Sequence, residues 1–303
     1  MISNLEELSL GGKNTTASII WHHQLPIECY SSLKVLKLHD FGVKSDPISF
    51  GFLQRLRNLE TLSVTHSSFK KLFLYKGHSS FKKLPSIREV VGEERRALAR
   101  LKNLTIHAVH DIKHIWKQDH LLAPILHNLK TLQVEDCHSL VSLAPSYVCF
   151  QNLTTLDIQS CLGLLNLFTS STAKSLVQLV NLTIAHCKKV TVVVARQGGD
   201  EADDEIIFSK LEYLELLDLQ NLTSFCFENY AFRFPSLKEM VVEECPNMKS
   251  FSPGVLSTPK LQGVHWKKYS KNTVHWHGNL DITIQHLYTE MVCINNSCIM
   301  SMA

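Results

Sequence analysis

The sequence predicts an α/β solenoid: a parallel β-sheet on a concave face, with irregular loops, 3₁₀ turns and short helices forming the convex returns. Three observations predict it. First, apolar residues recur at offsets 0, 3, 5, 8, 11 and 14, as Leu129, Leu132, Val134, Cys137, Leu140 and Leu143. The same offsets return at Leu153, Leu156, Ile158, Cys161, Leu164 and Leu167, and at Leu179, Leu182, Ile184, Cys187, Val190 and Val193. Second, no single helix or strand has that spacing. Leu132-x-Val134 alternates, which sends two residues of a short strand to one face, and the later steps of three suit a tight return path. Third, the first leucines of successive copies are 28 (5 to 33), 26, 42 (59 to 101), 28, 24, 26, 32 (179 to 211), 26 and 24 residues apart. A period of roughly 20–29 residues makes one strand and one return, and such units bury a core only by stacking.

The pattern is the leucine-rich-repeat signature L-x-x-L-x-L-x-x-N/C-x-L, and the expected architecture is its horseshoe. Residues 1–266 hold about ten irregular repeats. They start at Leu5, Leu33, Leu59, Leu101, Leu129, Leu153, Leu179, Leu211, Leu237 and, in degenerate form, Leu261-x-x-Val264-x-Trp266. The two long spacings mark insertions near 67–99 and 194–207. The first is basic (Lys70, Lys71, Lys76, Lys82, Lys83) and the second contains the acidic run Gly198-Gly-Asp-Glu-Ala-Asp-Asp-Glu205, a solvated loop. Ser171 to Val180 has room for one or two helical turns. Residues 267–292 read as a capping segment, with Ile284, Leu287, Tyr288 and Met291 at helical spacing over the last open strand edge, and 293–303 as a flexible tail.

Composition excludes several classes. A formal charge of +3 over 303 residues carries no nucleic-acid footprint. The opening Met1-Ile-Ser-Asn-Leu-Glu-Glu has neither the basic nor the apolar region of a signal peptide, and no window is apolar enough for a membrane span. The nine cysteines are an odd number, and Cys137, Cys161, Cys187 and Cys245 share one inward offset, where a free thiol acts as a small hydrophobe. Reduced thiols point to a cytoplasmic location.

Catalytic and cofactor motifs fail on inspection. Gly12-Lys13 resembles the end of a phosphate-binding loop, but Glu7 occupies the first glycine position and Asn14 that of the Mg²⁺-binding hydroxyl. Gly77-His-Ser79-Ser-Phe81 lacks the second glycine of a nucleophile elbow. Among 16 histidines, His107, His110 and His114 are close in sequence, and His275 and His277 flank Trp276. In the repeat register His107 and His110 fall at a strand end rather than on one helix face, so no metal site is expected. The reading is therefore no catalytic residue, no cofactor, no metal and no enzyme.

What remains is a surface. Residues flanking the two inward leucines face the concave side. The candidate partner-binding positions are Gln133, Glu135, Asp157, Gln159, Tyr213, Glu215, Leu217, Glu239, Val241 and Glu243. They make an acidic stripe with one tyrosine and exposed Leu217 and Val241, suited to a basic protein segment.

Some stretches carry a narrower resemblance: Leu101-Lys-Asn-Leu104 with Ile112-Lys-His-Ile115-Trp116, Phe150-Gln-Asn-Leu153-Thr-Thr-Leu156, Phe234-Pro-Ser-Leu237, Glu244-Cys-Pro246 and Phe251-Ser-Pro-Gly-Val-Leu-Ser-Thr-Pro-Lys-Leu261. With Ser170-Ser-Thr-Ala-Lys-Ser-Leu176 and Gly278-Asn-Leu280-Asp-Ile-Thr-Ile-Gln285, they resemble the repeat region of plant intracellular disease-resistance proteins of the coiled-coil, nucleotide-binding, leucine-rich-repeat class. The resemblance implies a recognition module in plant defence that senses a pathogen effector or host protein and restrains a nucleotide-binding switch. The NB-ARC (nucleotide-binding) domain of a related receptor is a further implied partner. The sequence has no coiled coil or nucleotide-binding domain of its own, so nucleotide binding does not carry over. The alternative is a generic intracellular repeat adaptor, such as a ubiquitin-ligase substrate-binding subunit.

Overall fold

The structure is a computed structural model, and it describes residues 5–12, 30–42, 48–49, 52, 55–70, 72–74, 100–115, 127–144, 148–196, 205–268 and 271–300. Most of the two expected insertions, at 75–99 and 197–204, and the last three residues lie outside the described residues. The chain divides into two units, Met1–Leu153 and Thr154–Ala303.

The first unit holds β1 (Glu7–Gly11), β2 (Val35–His39), β3 (Ile48–Ser49), β4 (Thr61–Thr65), β5 (Phe73–Leu74), β6 (Asn103–His107) and β7 (Thr131–Glu135). β1, β2, β4, β6 and β7 pair in parallel, with Leu8, Leu36, Leu62, Leu104 and Leu132 in register. β3 pairs with β5 on the return side. Parallel neighbours need a long crossover, and the repeat's return supplies it. The strands alternate as the leucine spacing requires: Leu132 and Val134 of β7 are buried, whereas Gln133 and Glu135 are exposed.

The second unit holds β8 (Thr155–Gln159), β9 (Phe168–Thr169), α1 (Ser170–Ser175), β10 (Asn181–Ala185), β11 (Val192–Ala195), β12 (Glu205–Ile207), β13 (Tyr213–Leu217), β14 (Ser224–Cys226), β15 (Ala231–Arg233), β16 (Glu239–Glu243), β17 (Leu256–Ser257), β18 (Val264–Lys268), β19 (Lys271–His275) and α2 (Leu280–Met300). Leu156, Leu182, Leu214, Met240 and Val264 stack in register across β8, β10, β13, β16 and β18. The returns pair too, as β9–β11–β14 and β12–β15–β17. They hold a second apolar layer centred on Phe225. It packs edge-on to Phe208, Phe232 and Phe234 and stacks on Phe251 at 4.6 Å between ring centres.

α1 overlaps the stretch read as helical turns, starting one residue before it, and the Thr169 hydroxyl caps it by accepting from the Thr172 N–H. The capping segment differs from the expectation. The edge of β18 is taken by the antiparallel β19 and not by the helix. α2 instead buries Leu280, Ile284, Leu287 and Met291, and the Asp281 carboxylate accepts from the Phe251 and Ser252 N–H groups at 2.6 and 3.3 Å. It runs to Met300, into the stretch read as a tail.

A feature with no sequence signal recurs after the sheet strands. Asp40, His66, Ala108, Asp136, Ser160, His186, Asp218 and Glu244 each follow a sheet strand directly with φ between 47° and 59°. A left-handed non-glycine residue costs about 1–2 kcal/mol. Backbone bonds to the next strand offset it, among them His66 N–H to the His107 carbonyl and Ala108 N–H to the Glu135 carbonyl, both 2.9 Å. Gly12 is needed for another reason: a Cβ there would lie 2.5 Å from Phe41 Cα, so this glycine serves backbone packing.

The four cysteines at the inward offset are buried, and Cys137, Cys149, Cys161, Cys187, Cys226, Cys245 and Cys293 are thiols outside any disulfide. Burial pushes the Cys245 thiol up to about 12 and the Cys226 thiol up to about 11.

Candidate functional site

In the second unit the outward face of the main sheet is set by the strand period. Across neighbouring strands its rows read Thr155, Asn181, Tyr213, Glu239; then Asp157, Thr183, Glu215, Val241, His265; then Gln159, Ala185, Leu217, Glu243. Parallel strands lie about 4.8 Å apart, so each row is a ladder of closely spaced side chains.

The expected stripe separates into two parts here. Asp157 and Gln159 pair with each other, the Gln159 amide donating to the carboxylate at 2.9 Å. β10 interposes neutral Asn181, Thr183 and Ala185 before the next charge. Beyond it Tyr213, Glu215 and Glu239 form one group. Burial, reinforced by the Glu215 charge and hydrogen bond and by the Glu239 charge, pushes the Tyr213 phenol up to about 12. The phenol therefore stays a donor beside two carboxylates. Among the described residues no ion pair reaches Glu215 or Glu239; Lys238 is held by Glu212 at 2.7 Å, before the strand begins.

Leu217 is half-buried and Glu243 intermediate. Val241 does not fit the expectation: it occupies the outward register but is 3% exposed. It is a short side chain between the longer Glu215 and His265, and it adds apolar footing rather than an accessible contact.

In the first unit, Gln133 and Glu135 are the exposed positions of β7, and Gln133 accepts from the Thr105 hydroxyl at 3.2 Å. The strand ends carry chemistry that sequence reasoning missed. His107 Nε2 lies 3.5 Å from Asp136 Oδ2, with the Glu135 carboxylate alongside. The His66 ring meets His107 edge-on, centres 4.9 Å apart. Of the three histidines close in sequence, only His107 enters this group; His110 stacks on His138, and His114 is exposed on a bridge to Ser142. The signal was the pair Glu135-Asp136 one repeat after His107, legible only once the register is known.

No helix among the described residues is long and apolar enough to cross a membrane. The sequence matches the family described as "Plant disease resistance protein RPS2-like, leucine-rich repeats" over residues 4–149 and 149–267. Similar proteins of Arabidopsis thaliana include the probable disease resistance protein At1g61310, 26% identical over 231 residues (76% of this chain, 23% of that protein). The disease resistance protein UNI is 24% identical (81% and 26% covered) and RPS5 26% identical (75% and 27%). The chain thus spans about a quarter of the length of these relatives. Among solved structures, the Leptospira interrogans LRR protein LIC12759 aligns at 16% identity over 87% of this chain and 72% of that one, TM-score 0.40.

Proposed function

Because the chain belongs to the RPS2-like leucine-rich-repeat family of plant disease resistance proteins, we propose that it is the non-catalytic recognition module of an intracellular immune receptor. It senses a pathogen effector or host protein on the outward strand face and, in a full-length receptor, restrains the nucleotide-binding switch. Buried thiols outside any disulfide support a reducing, cytoplasmic setting.

The observation that carries this reading is the group Tyr213, Glu215 and Glu239. Two carboxylates and a phenol that keeps its proton stand on a rigid strand face, with half-buried Leu217 beside them. A tyrosine with an apolar neighbour anchors a contact at low entropic cost, and carboxylates select a basic partner segment.

The test is proximity labelling in plant cells with the wild-type chain and a variant carrying Asp157→Lys, Glu215→Lys and Glu239→Lys. Circular dichroism and a thermal melt establish that the variant folds. A protein captured by wild type and lost with the folded variant supports the strand face as the recognition surface. Identical capture by both removes it.

A further inference from the structure

We propose that His107, Glu135 and Asp136 form a binding site for one divalent transition-metal ion of the zinc class, open to solvent at its fourth position. Nε2 or Nδ1 of the histidine and one oxygen of each carboxylate lie within 4.8 Å of one another. The set mixes one imidazole with two carboxylates, a donor combination that zinc accepts.

The His107–Asp136 separation is longer than a charge-assisted hydrogen bond and compatible with two ligands of one ion. Charge-assisted N–H···O bonds close to about 2.7–2.9 Å. Two ligands at about 2.0–2.1 Å from a tetrahedral ion are about 3.3–3.4 Å apart. The His107–Asp136 separation is 3.5 Å.

The second unit supplies a contrast within the same fold. His186 Nδ1 lies 3.1 Å from Asp218 Oδ2, while the Gln220 amide takes Asp218 Oδ1 at 2.6 Å. Each oxygen of that carboxylate already has a partner, and Leu217 occupies the strand-end position that Glu135 holds before Asp136. The pair at His186 has no third ligand there; the one at His107 has.

The backbone under the site is fixed before any ion arrives. His107 ends β6 and Glu135 ends β7, directly paired in register. Asp136 takes the left-handed conformation, φ 52°, and its carboxylate approaches His107 of β6. Its carbonyl is 2.9 Å from His110 Nδ1, and the Glu135 carbonyl receives the Ala108 N–H. The His66 ring stands at the edge of His107 and limits its rotation. An ion here would join two successive repeats and stabilise the stacked form over the unfolded chain.

The test is isothermal titration of the full chain with Zn²⁺ alone. Wild type, His107→Gln, Glu135→Gln and His186→Ala are compared, each checked for folding by circular dichroism. The expected result is one saturable site in wild type and His186→Ala, weakened at least about tenfold in His107→Gln and in Glu135→Gln. Zn²⁺ should also raise the melting temperature of wild type but not of His107→Gln. The proposal is overturned if wild type takes up no Zn²⁺, if both ligand variants bind like wild type, or if His186→Ala weakens binding as much as they do. None of these outcomes touches the acidic face at Tyr213, whose variant leaves all three ligands in place.

Discussion

The two units solve the same problem with different return sides. In the first, the ring contacts among the described residues include Tyr30 with Phe52 at 5.5 Å and Phe41 with Phe69 at 5.3 Å. In the second, Phe208, Phe225, Phe232, Phe234 and Phe251 form one connected cluster beneath two small sheets. The strand sides do not differ in this way. β4 pairs with β6 residue for residue, although their repeats start 42 residues apart. Closing a longer connection costs only a logarithmic entropy increment, so the ladder tolerates an insertion.

The comparison is broken most directly at Phe225. Phe225→Ala removes a ring that contacts four others and should cost about 3–5 kcal/mol, the range for buried phenylalanine. Phe69→Ala, with its ring pair to Phe41, should fall at the lower end. Urea unfolding of both variants decides; equal losses would mean that the clustering adds nothing. Next in size, Leu132→Ala should cost about 2–5 kcal/mol. Its exposed neighbour Gln133→Ala should stay within about 0.5 kcal/mol, and comparable losses at the two would refute the strand register.

A third test uses alkali. Tyr213, Cys226 and Cys245, all in the second unit, have acidic groups raised above their ordinary values of 10.0, 9.0 and 9.0. A raised acid binds its proton more tightly in the folded state. The stability it contributes is therefore full below the unfolded value and is lost as pH climbs from about 9 toward about 12. Melting temperature should fall over that window, and Cys245→Ala should flatten the fall whatever it does to the value at pH 8. An unchanged slope would mean the Cys245 thiol is not linked to folding. The smallest effect is expected at Ala108, which holds φ 52°. Ala108→Gly should stabilise by up to about 1 kcal/mol by relieving left-handed strain, less the entropy a glycine adds to the unfolded chain. A destabilised glycine variant in a thermal melt would show that the carbonyl ladder leaves little strain to relieve.

Much of this was legible in sequence because period-2 alternation and a shared repeat register are local and redundant. The outward triplets around Leu132, Leu214 and Met240 coincide with β7, β13 and β16 to the residue. What escaped depends on neighbours a repeat pattern does not encode. The burial of Val241 follows from side chains one strand away on each side. The antiparallel β19 follows a break in the period, where no template constrained the reading. The convergence of His107 with Asp136 required a backbone reversal at a residue that is not glycine. The acidic stripe reads as continuous when only its charged positions are considered, yet one neutral strand, β10, is enough to isolate Tyr213, Glu215 and Glu239 from Asp157.

The left-handed residue that follows eight of the main-sheet strands has a consequence for how such a chain can vary. Aspartate, histidine, alanine, serine and glutamate all hold the same backbone there. The turn is thus specified by its hydrogen bonds and not by its side chain, and only branched residues are strongly disfavoured. Each of these eight repeats therefore contributes one site whose chemistry can be rewritten without rewriting the scaffold. Arrayed one strand spacing apart, these positions act like an alphabet on a fixed line, able to change what is displayed faster than how it is held.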